Sequence, residues 1–330
     1  MKTKSIVWTA PCTVELQDIQ LGQPGPGEVL IENVISTVSP GTEAEWISSD
    51  ESHRVLETTF PFVPGYSRAG YVVALGPCVS GLQPGDRVVA GFDNLGRPIG
   101  AHAAYSLARA SDIDVIPDNV SFEQAALFIL GQTAAMMVKL TSAGLSDPIG
   151  IVGQGPIGNL AVQFAKASGA SPIVALDLVK SRRDSAILAG ATEALDPTDE
   201  AHFGAFIKRT GGLSKVIDLS GNPAGTNTAL HLAGPRATVV FSTGYGGSMT
   251  LDYGAIFSKG LHVIGGFVNA IPELARQSTR TYLRLVGEGT INASYLLDTP
   301  FSPEEAPDVY RRILARDPKL KVPLFRWRES

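Results

Sequence analysis

The stretch "GIVGQGPIGNLAVQFAKASG", residues 150–169, decides the fold. It holds Gly153-x-Gly155-x-x-Gly158 between an apolar run that reads as a strand and an amphipathic run that reads as a helix. Glycine is abundant, at 35 residues, so the triplet alone would say little. Its strand–turn–helix setting is what makes it a phosphate cradle. Gly153 permits the tight turn, Gly155 lets the backbone approach a pyrophosphate, and Gly158 lets helix and strand pack closely. Gln154, Pro156 and Ile157 complete the loop, and the helix N-terminus offers N–H groups and a positive dipole end to phosphates.

The next strand, "PIVALD", ends in Asp177, about twenty residues beyond the glycines. A carboxylate there accepts hydrogen bonds from ribose hydroxyls and repels a 2′-phosphate, which favours NAD(H) over NADP(H). Arg182 and Arg183 follow closely and can reach a 2′-phosphate, so NADP(H) stays open. Strand and helix then alternate through "KSRRDSAILAGA", "KVIDLS", "NPAGTNTALHLA", "RATVVFST" and "GLHVIGGF", the pattern of a doubly wound parallel sheet. Ser220, Thr243 and Gly266 follow strands of that sheet and are expected at the cofactor edge.

Residues 1 to about 110 have a different rhythm: short β-type runs such as "EVLIENVIST" and "DRVVAGF" separated by Gly/Pro turns. From Ser121 the run "SFEQAALFILGQTAAMMVKL" reads as a helix with a Ser cap. The segment 270–330 carries another helix around "PELARQSTRTYLRLVGEG".

Composition narrows the function classes. A net charge of −5 without a basic cluster argues against nucleic acid and anionic membranes as partners. No apolar run reaches the roughly 20 residues of a membrane span, and the N-terminus lacks a signal-peptide pattern, so a cytoplasmic location is expected. Cys12 and Cys78, the only two cysteines, belong to no CxxC or Cys/His cluster.

The segments 25–43, "FPFVPGYSRAGYVVALG", "GLQPGDRVV", "IPDNVSFEQAALFILGQTA" and "IFSKGLHVIGGF" occur in an order and spacing that resembles the medium-chain dehydrogenase/reductase superfamily over nearly the whole chain. The resemblance implies an α/β architecture: a GroES-like β-barrel catalytic domain, residues 1–131 and 268–330, around a Rossmann dinucleotide-binding domain, residues 132–267. It also implies a homodimer or homotetramer, with "GLHVIGGF" as the edge strand that pairs between subunits.

Many relatives hold a catalytic zinc through a cysteine, a histidine and a third ligand. Here the corresponding stretches read Pro40-Gly41-Thr42-Glu43, Gly65-Tyr66-Ser67 and "LFILGQTA", with no Cys or His, which makes this a zinc-free member. Among such members "ISTVSPGTE", "VPGY" and "VIDLSGNP" are most similar to the bacteriochlorophyllide hydroxyethyl dehydrogenase branch, which oxidises a secondary alcohol.

The resemblance also places the candidate chemistry. Thr42 matches a proton-relaying hydroxyl, with an ordinary turn hydroxyl in "SPGT" as the alternative. Tyr66 stands at a metal-ligand position, either donating to the substrate oxygen or filling the space. Glu43 can orient either, act as base, or pair with an arginine such as Arg68. His102 lies in a stretch expected near the substrate, as does His53 with less weight, and Gln132 and Thr133 lie where relatives contact the nicotinamide. The leading expectation is an NAD(H)-dependent oxidoreductase interconverting a secondary alcohol and a ketone. A quinone or enone reductase using NAD(P)H and a catalytically inactive nucleotide-binding protein are the alternatives.

Overall fold

The computed structural model describes residues 1–48, 58–91, 100–242 and 248–328. They form two compact units, Met1–Ile129 with Thr279–Ser330, and Leu130–Ser278. Among the described residues no helix is long and apolar enough to cross a membrane.

The first unit opens with an antiparallel hairpin, β1 (Lys2–Ala10) and β2 (Thr13–Gln20). Then come β3 (Glu28–Thr37), α1 (Pro40–Ser48), β4 (Arg68–Leu75), β5 (Arg87–Ala90), β6 (Tyr105–Arg109) and β7 (Ile113–Val115). The "SPGT" stretch read as a turn therefore starts a helix. Its Pro40 occupies the first turn, where no intrahelical N–H is lost, and Glu43 closes the turn onto Ser39. The helix expected from Ser121 is split into α2 (Phe122–Ala126) and α3 (Phe128–Thr141), with Leu127 between them. Ser121 does cap α2, and Gln124 returns the second bond of the capping box.

The second unit is a six-stranded parallel sheet. Its elements run β8 (Ile149–Val152), α4 (Pro156–Ala167), β9 (Ile173–Leu176), α5 (Lys180–Ala189), β10 (Glu193–Leu195), α6 (Glu200–Thr210), β11 (Leu213–Asp218), α7 (Pro223–Leu232), β12 (Ala233–Phe241), α8 (Tyr253–Lys259) and β13 (His262–Gly265). The spatial order β10-β9-β8-β11-β12-β13 is the doubly wound arrangement, and its strand order reverses between β8 and β11. All four residues of β8 and of β9 are buried, as parallel strands covered on both faces require. Strand β10 and helices α6 and α8 were not anticipated from the sequence. Helices α7 and α8 are fastened by Lys259, whose ammonium donates to the carbonyls of Leu230, His231 and Ala233 at the end of α7.

The chain returns to the first unit through α9 (Pro272–Gly287), followed by α10 (Ala306–Leu314) and β14 (Leu324–Arg326). Strand β14 pairs with β3, completing an antiparallel sheet of order β14-β3-β4-β5-β7, with β6 also on β3. Val29, Ile31, Val72, Val88, Ala90 and Ala108 form its apolar core. Burying each larger aliphatic side chain contributes about 1.5–3 kcal/mol.

Three phenols lie inside the first unit: Tyr66, Tyr282 and Tyr310. Burial raises all three above the usual tyrosine value of 10.0. Unfolded, they would ionise near pH 10; folded, they stay protonated. Their contribution to stability is thus present below that pH and lost as pH rises beyond it. Absorbance titration of the eight tyrosines should show a delayed fraction that ionises only with unfolding. A single smooth titration near pH 10 with the fold intact would contradict this burial.

Candidate active site

In the second unit, strand β8 delivers the chain into Gly153, at φ 89, a conformation that favours glycine. A Cβ there would also lie 2.7 Å from the Leu219 backbone, so the loops after β8 and β11 touch at the point where strand order reverses. At Gly158 a Cβ would come within 1.8 Å of the Gly153 carbonyl oxygen, which fixes how closely α4 approaches its strand. At Gly155 a Cβ would meet nothing within 4 Å. Sterics inside the protein therefore demand the first and third glycines, whereas the second faces open space. Gly155 caps α4 with no side-chain acceptor, and Pro156 follows as its first residue. The α4 N-terminus thus carries its dipole toward that space without a capping side chain of its own.

Asp177 sits at the end of β9 with little exposure. Its Oδ2 accepts the Gln154 N–H at 2.7 Å and its Oδ1 the Val179 N–H at 2.8 Å. The Gln154 amide donates to the Ile151 carbonyl, placing its side chain under the loop. Arg182 lies 3.8 Å from Asp177 with its side chain 56% exposed. Arg183 is committed elsewhere, to the Asp177 and Leu178 carbonyls and to Asp196. Ser220 follows β11, and its N–H donates to Asp218 Oδ1 at 2.9 Å; Gly266 follows β13, where a Cβ would strike Met137 at 2.3 Å. Gln132 and Thr133 lie on α3, the first buried and the second half-buried. Thr243 and His53 lie outside the described residues.

In the first unit, Thr42, Glu43, Tyr66 and His102 come together. Helix α1 turns Glu43 inward, where it is fully buried. Its Oε1 accepts the Ser39 N–H at 2.9 Å, and its Oε2 meets the Tyr310 hydroxyl at 2.5 Å and His102 Nε2 at 3.2 Å. His102 Nδ1 is 2.7 Å from Ser36 Oγ, which accepts the Trp327 indole N–H at 2.8 Å. One proton arrangement satisfies the whole chain: Trp327 donates to Ser36, Ser36 to Nδ1, and Nε2–H to Glu43. Gly65, at φ 90, makes room for this histidine, because a Cβ would fall 2.7 Å from His102 Cγ. The "PGY" turn and His102 are therefore one steric unit.

Tyr66 packs its ring 5.4 Å from Trp46, and its hydroxyl bonds the Ser39 and Thr42 hydroxyls. Burial, then the Glu43 charge, raises its pKa, so the phenol is a hydrogen-bond donor at neutral pH. Thr42 is half-buried. Ser67, the next residue after Tyr66, donates to the Ala126 carbonyl at 2.6 Å and is occupied structurally. The pairing of Glu43 with Arg68 does not occur: Arg68 donates to the Leu107 carbonyl, while Tyr310, His102 and Ser39 hold Glu43. Both Glu43 oxygens are thus engaged by protein donors, and the residue has no exposure. Ser36, Ser39, Tyr310 and Trp327 were not singled out from the sequence. Among the described residues no group of three or more His, Cys, Asp or Glu is arranged to hold a metal ion.

The chain matches the family described as alcohol dehydrogenase GroES-like domain over residues 25–118, and that described as zinc-binding dehydrogenase over residues 156–288. It is 31% identical to 2-desacetyl-2-hydroxyethyl bacteriochlorophyllide A dehydrogenase of Cereibacter sphaeroides, over 66% of this chain and 69% of that protein. Among solved structures, galactitol-1-phosphate dehydrogenase of Escherichia coli superposes with a TM-score of 0.87 at 22% identity, covering 98% of this chain and 99% of that one. A short chain alcohol dehydrogenase of Escherichia coli CFT073 complexed with NADH gives 0.86 at 19%, with coverage of 98% and 99%. With both families matched in chain order, and a dehydrogenase related at this level over two thirds of its own length, the chain belongs to the medium-chain dehydrogenase/reductase superfamily.

Proposed function

We propose that the protein is an NAD(H)-dependent oxidoreductase that interconverts a secondary alcohol and a ketone by hydride transfer, without a catalytic zinc. The observation that carries this reading is the neutral Tyr66 phenol, bonded to the Ser39 and Thr42 hydroxyls where zinc-dependent relatives place a metal ligand. The donors around it are hydroxyls, and the nearest imidazole and carboxylate, His102 and Glu43, are spent on each other. Such a set does not suit zinc, which takes three protein ligands and an open position.

The residues of the second unit fit a nicotinamide dinucleotide. The backbone at Gly153, Gln154 and Gly155 and the first turn of α4, with Ile157 and Gly158, would hold the pyrophosphate. Asp177 would accept the ribose hydroxyls, and Gln132, Thr133, Ser220 and Gly266 would line the remainder. When bound, the cofactor gives or takes the hydride. The chain's own task is the oxygen and one proton. Tyr66 donates a hydrogen bond to the substrate oxygen, which favours charge developing there during ketone reduction. In alcohol oxidation Thr42 Oγ1 accepts the alcohol proton while its own hydroxyl proton passes to solvent water, which half-buried Thr42 can meet, and ketone reduction runs the same transfers backwards. Glu43, His102 and Tyr310 keep these hydroxyls in place. A cytoplasmic location and a small-molecule substrate complete this reading.

Three tests follow from this assignment. Purified protein grown with zinc should contain less than about a tenth of an equivalent of the metal, and Tyr66→Phe should lower kcat by roughly 10²-fold with KM for the cofactor unchanged. A full equivalent of zinc, or an undiminished Tyr66→Phe, would sink the metal-free mechanism. Replacing the ribose-directed carboxylate, Asp177→Ser, should raise KM for NADH about tenfold and improve NADPH, with Arg182 then free to meet the extra phosphate. A wild-type preference for NADPH would instead favour the enone-reductase alternative.

The subunits are further proposed to pair through β13, an edge strand with Val263 and the nearby Phe267 exposed. Light scattering should give a dimer or tetramer for the wild type and a smaller species for Val263→Arg. A monomeric wild type would remove the proposal.

A further inference from the structure

Trp327 reaches the Glu43 cluster through a row of polar groups. Its indole N–H donates to Ser36 Oγ at 2.8 Å, Ser36 Oγ lies 2.7 Å from His102 Nδ1, and His102 Nε2 lies 3.2 Å from Glu43 Oε2. Ser36, His102 and Glu43 are fully buried. Among the described residues, Ser36 Oγ has these two partners alone.

The two ends of the row differ in kind. An indole nitrogen can only donate, and a carboxylate can only accept. Trp327 therefore takes a lone pair of Ser36 and leaves the hydroxyl hydrogen one acceptor, Nδ1. Glu43 in turn requires a hydrogen on Nε2. Between a donor-only end and an acceptor-only end the hydrogens run one way, and the ring between them is neutral. A second ring proton, on Nδ1, would leave the Ser36 hydrogen enclosed with no acceptor, which is costly. The surroundings of the ring agree. Phe325 meets it edge-on at 5.3 Å. Arg68, paired with Ser36 across the ladder, already places a buried cation in this sheet, since burial lowers its guanidinium only to about 9.

We infer that Trp327 is a positioning residue for the reaction proposed above: acting through Ser36, it holds His102 neutral with its hydrogen on Nε2, so that the Glu43 charge acting on Tyr66 stays uncancelled. The inference rests on the reading of Tyr66 as donor to the substrate oxygen. Burial and then the Glu43 charge keep that phenol protonated. An imidazolium at His102 would offset the charge.

Long-range 1H–15N spectra of the whole protein with labelled histidine, at neutral pH, test this together with kinetics. The wild-type His102 ring should carry its hydrogen on Nε2, with the Nδ1 signal displaced by an accepted hydrogen bond. Ser36→Ala should keep the hydrogen on Nε2 and move the Nδ1 signal toward that of an unbonded imine nitrogen. Trp327→Phe keeps an aromatic ring at a position whose backbone N–H is held by the Val34 carbonyl at 2.9 Å. It removes the donor, and a water in its place can accept as well as donate, which frees Ser36 to accept from the ring. A second ring form with hydrogen on Nδ1 should then appear, and kcat should fall about fivefold with KM for the cofactor unchanged. In the Tyr66→Phe background the same substitution should lower kcat no further.

A wild-type ring that is an imidazolium or carries its hydrogen on Nδ1 would overturn the inference. So would a Trp327→Phe with an unchanged ring or wild-type kcat while Tyr66→Phe loses activity, or the same fivefold loss in the Tyr66→Phe background. An undiminished Tyr66→Phe sinks the functional reading instead, and the ring spectra still decide the state of His102. Should Trp327→Phe not fold, the wild-type and Ser36→Ala spectra decide the matter.

Discussion

The carboxylate of Glu43 is the interaction on which the first unit depends. Donors from three distant parts of the chain converge on it: Ser39 at the start of α1, His102 ahead of β6, and Tyr310 on α10. A buried carboxylate is tolerable only when its lone pairs are answered, and these partners answer them. The dependence is mutual. Without Glu43, the phenol of Tyr310 and the imidazole of His102 would be left in an apolar shell that includes Phe325 and Trp8. Breaking a buried charged network in this way typically costs about 3–5 kcal/mol. The same carboxylate accepts the Ser39 N–H and helps to raise the Tyr66 pKa.

The geometry of the glycine loop was legible in the sequence because its logic is local. Gly153, Gly155 and Gly158 lie within six residues, and their spacing between a strand and a helix states which positions need a left-handed backbone or close approach. Asp177 was legible for a related reason: a strand of fixed length carries it to the sheet edge. The structure adds that the three glycines are not equivalent, since only Gly155 faces open space.

Other features were beyond local reading. The turn propensity of Ser39-Pro40-Gly41-Thr42 concealed a helix, since Pro and Gly serve a turn and a helix N-terminus equally well. Strand β10 has only three residues, too few for a pattern. Helix α6 did carry a signal, Phe203, Phe206 and Ile207 at helical spacing, diluted by Gly204 and by polar ends. Thr42, Glu43, Tyr66 and His102 could be named as candidates, but not their partners. Tyr310 is separated from Glu43 by 267 positions and Trp327 from Ser36 by 291, and no periodicity spans such distances.

Those separations have a meaning in time as well as in space. The second unit is one continuous stretch, Leu130–Ser278, while the first needs Thr279–Ser330 to be complete. On the ribosome, chain growth therefore supplies every residue of the parallel sheet while Glu43 still lacks Tyr310, and Ser36 still lacks Trp327. The parallel sheet can mature during synthesis, but the Glu43 cluster must wait for Tyr310 and Trp327 to emerge. A nascent chain that stalls before Tyr310 would hold a complete second unit and an incomplete first one.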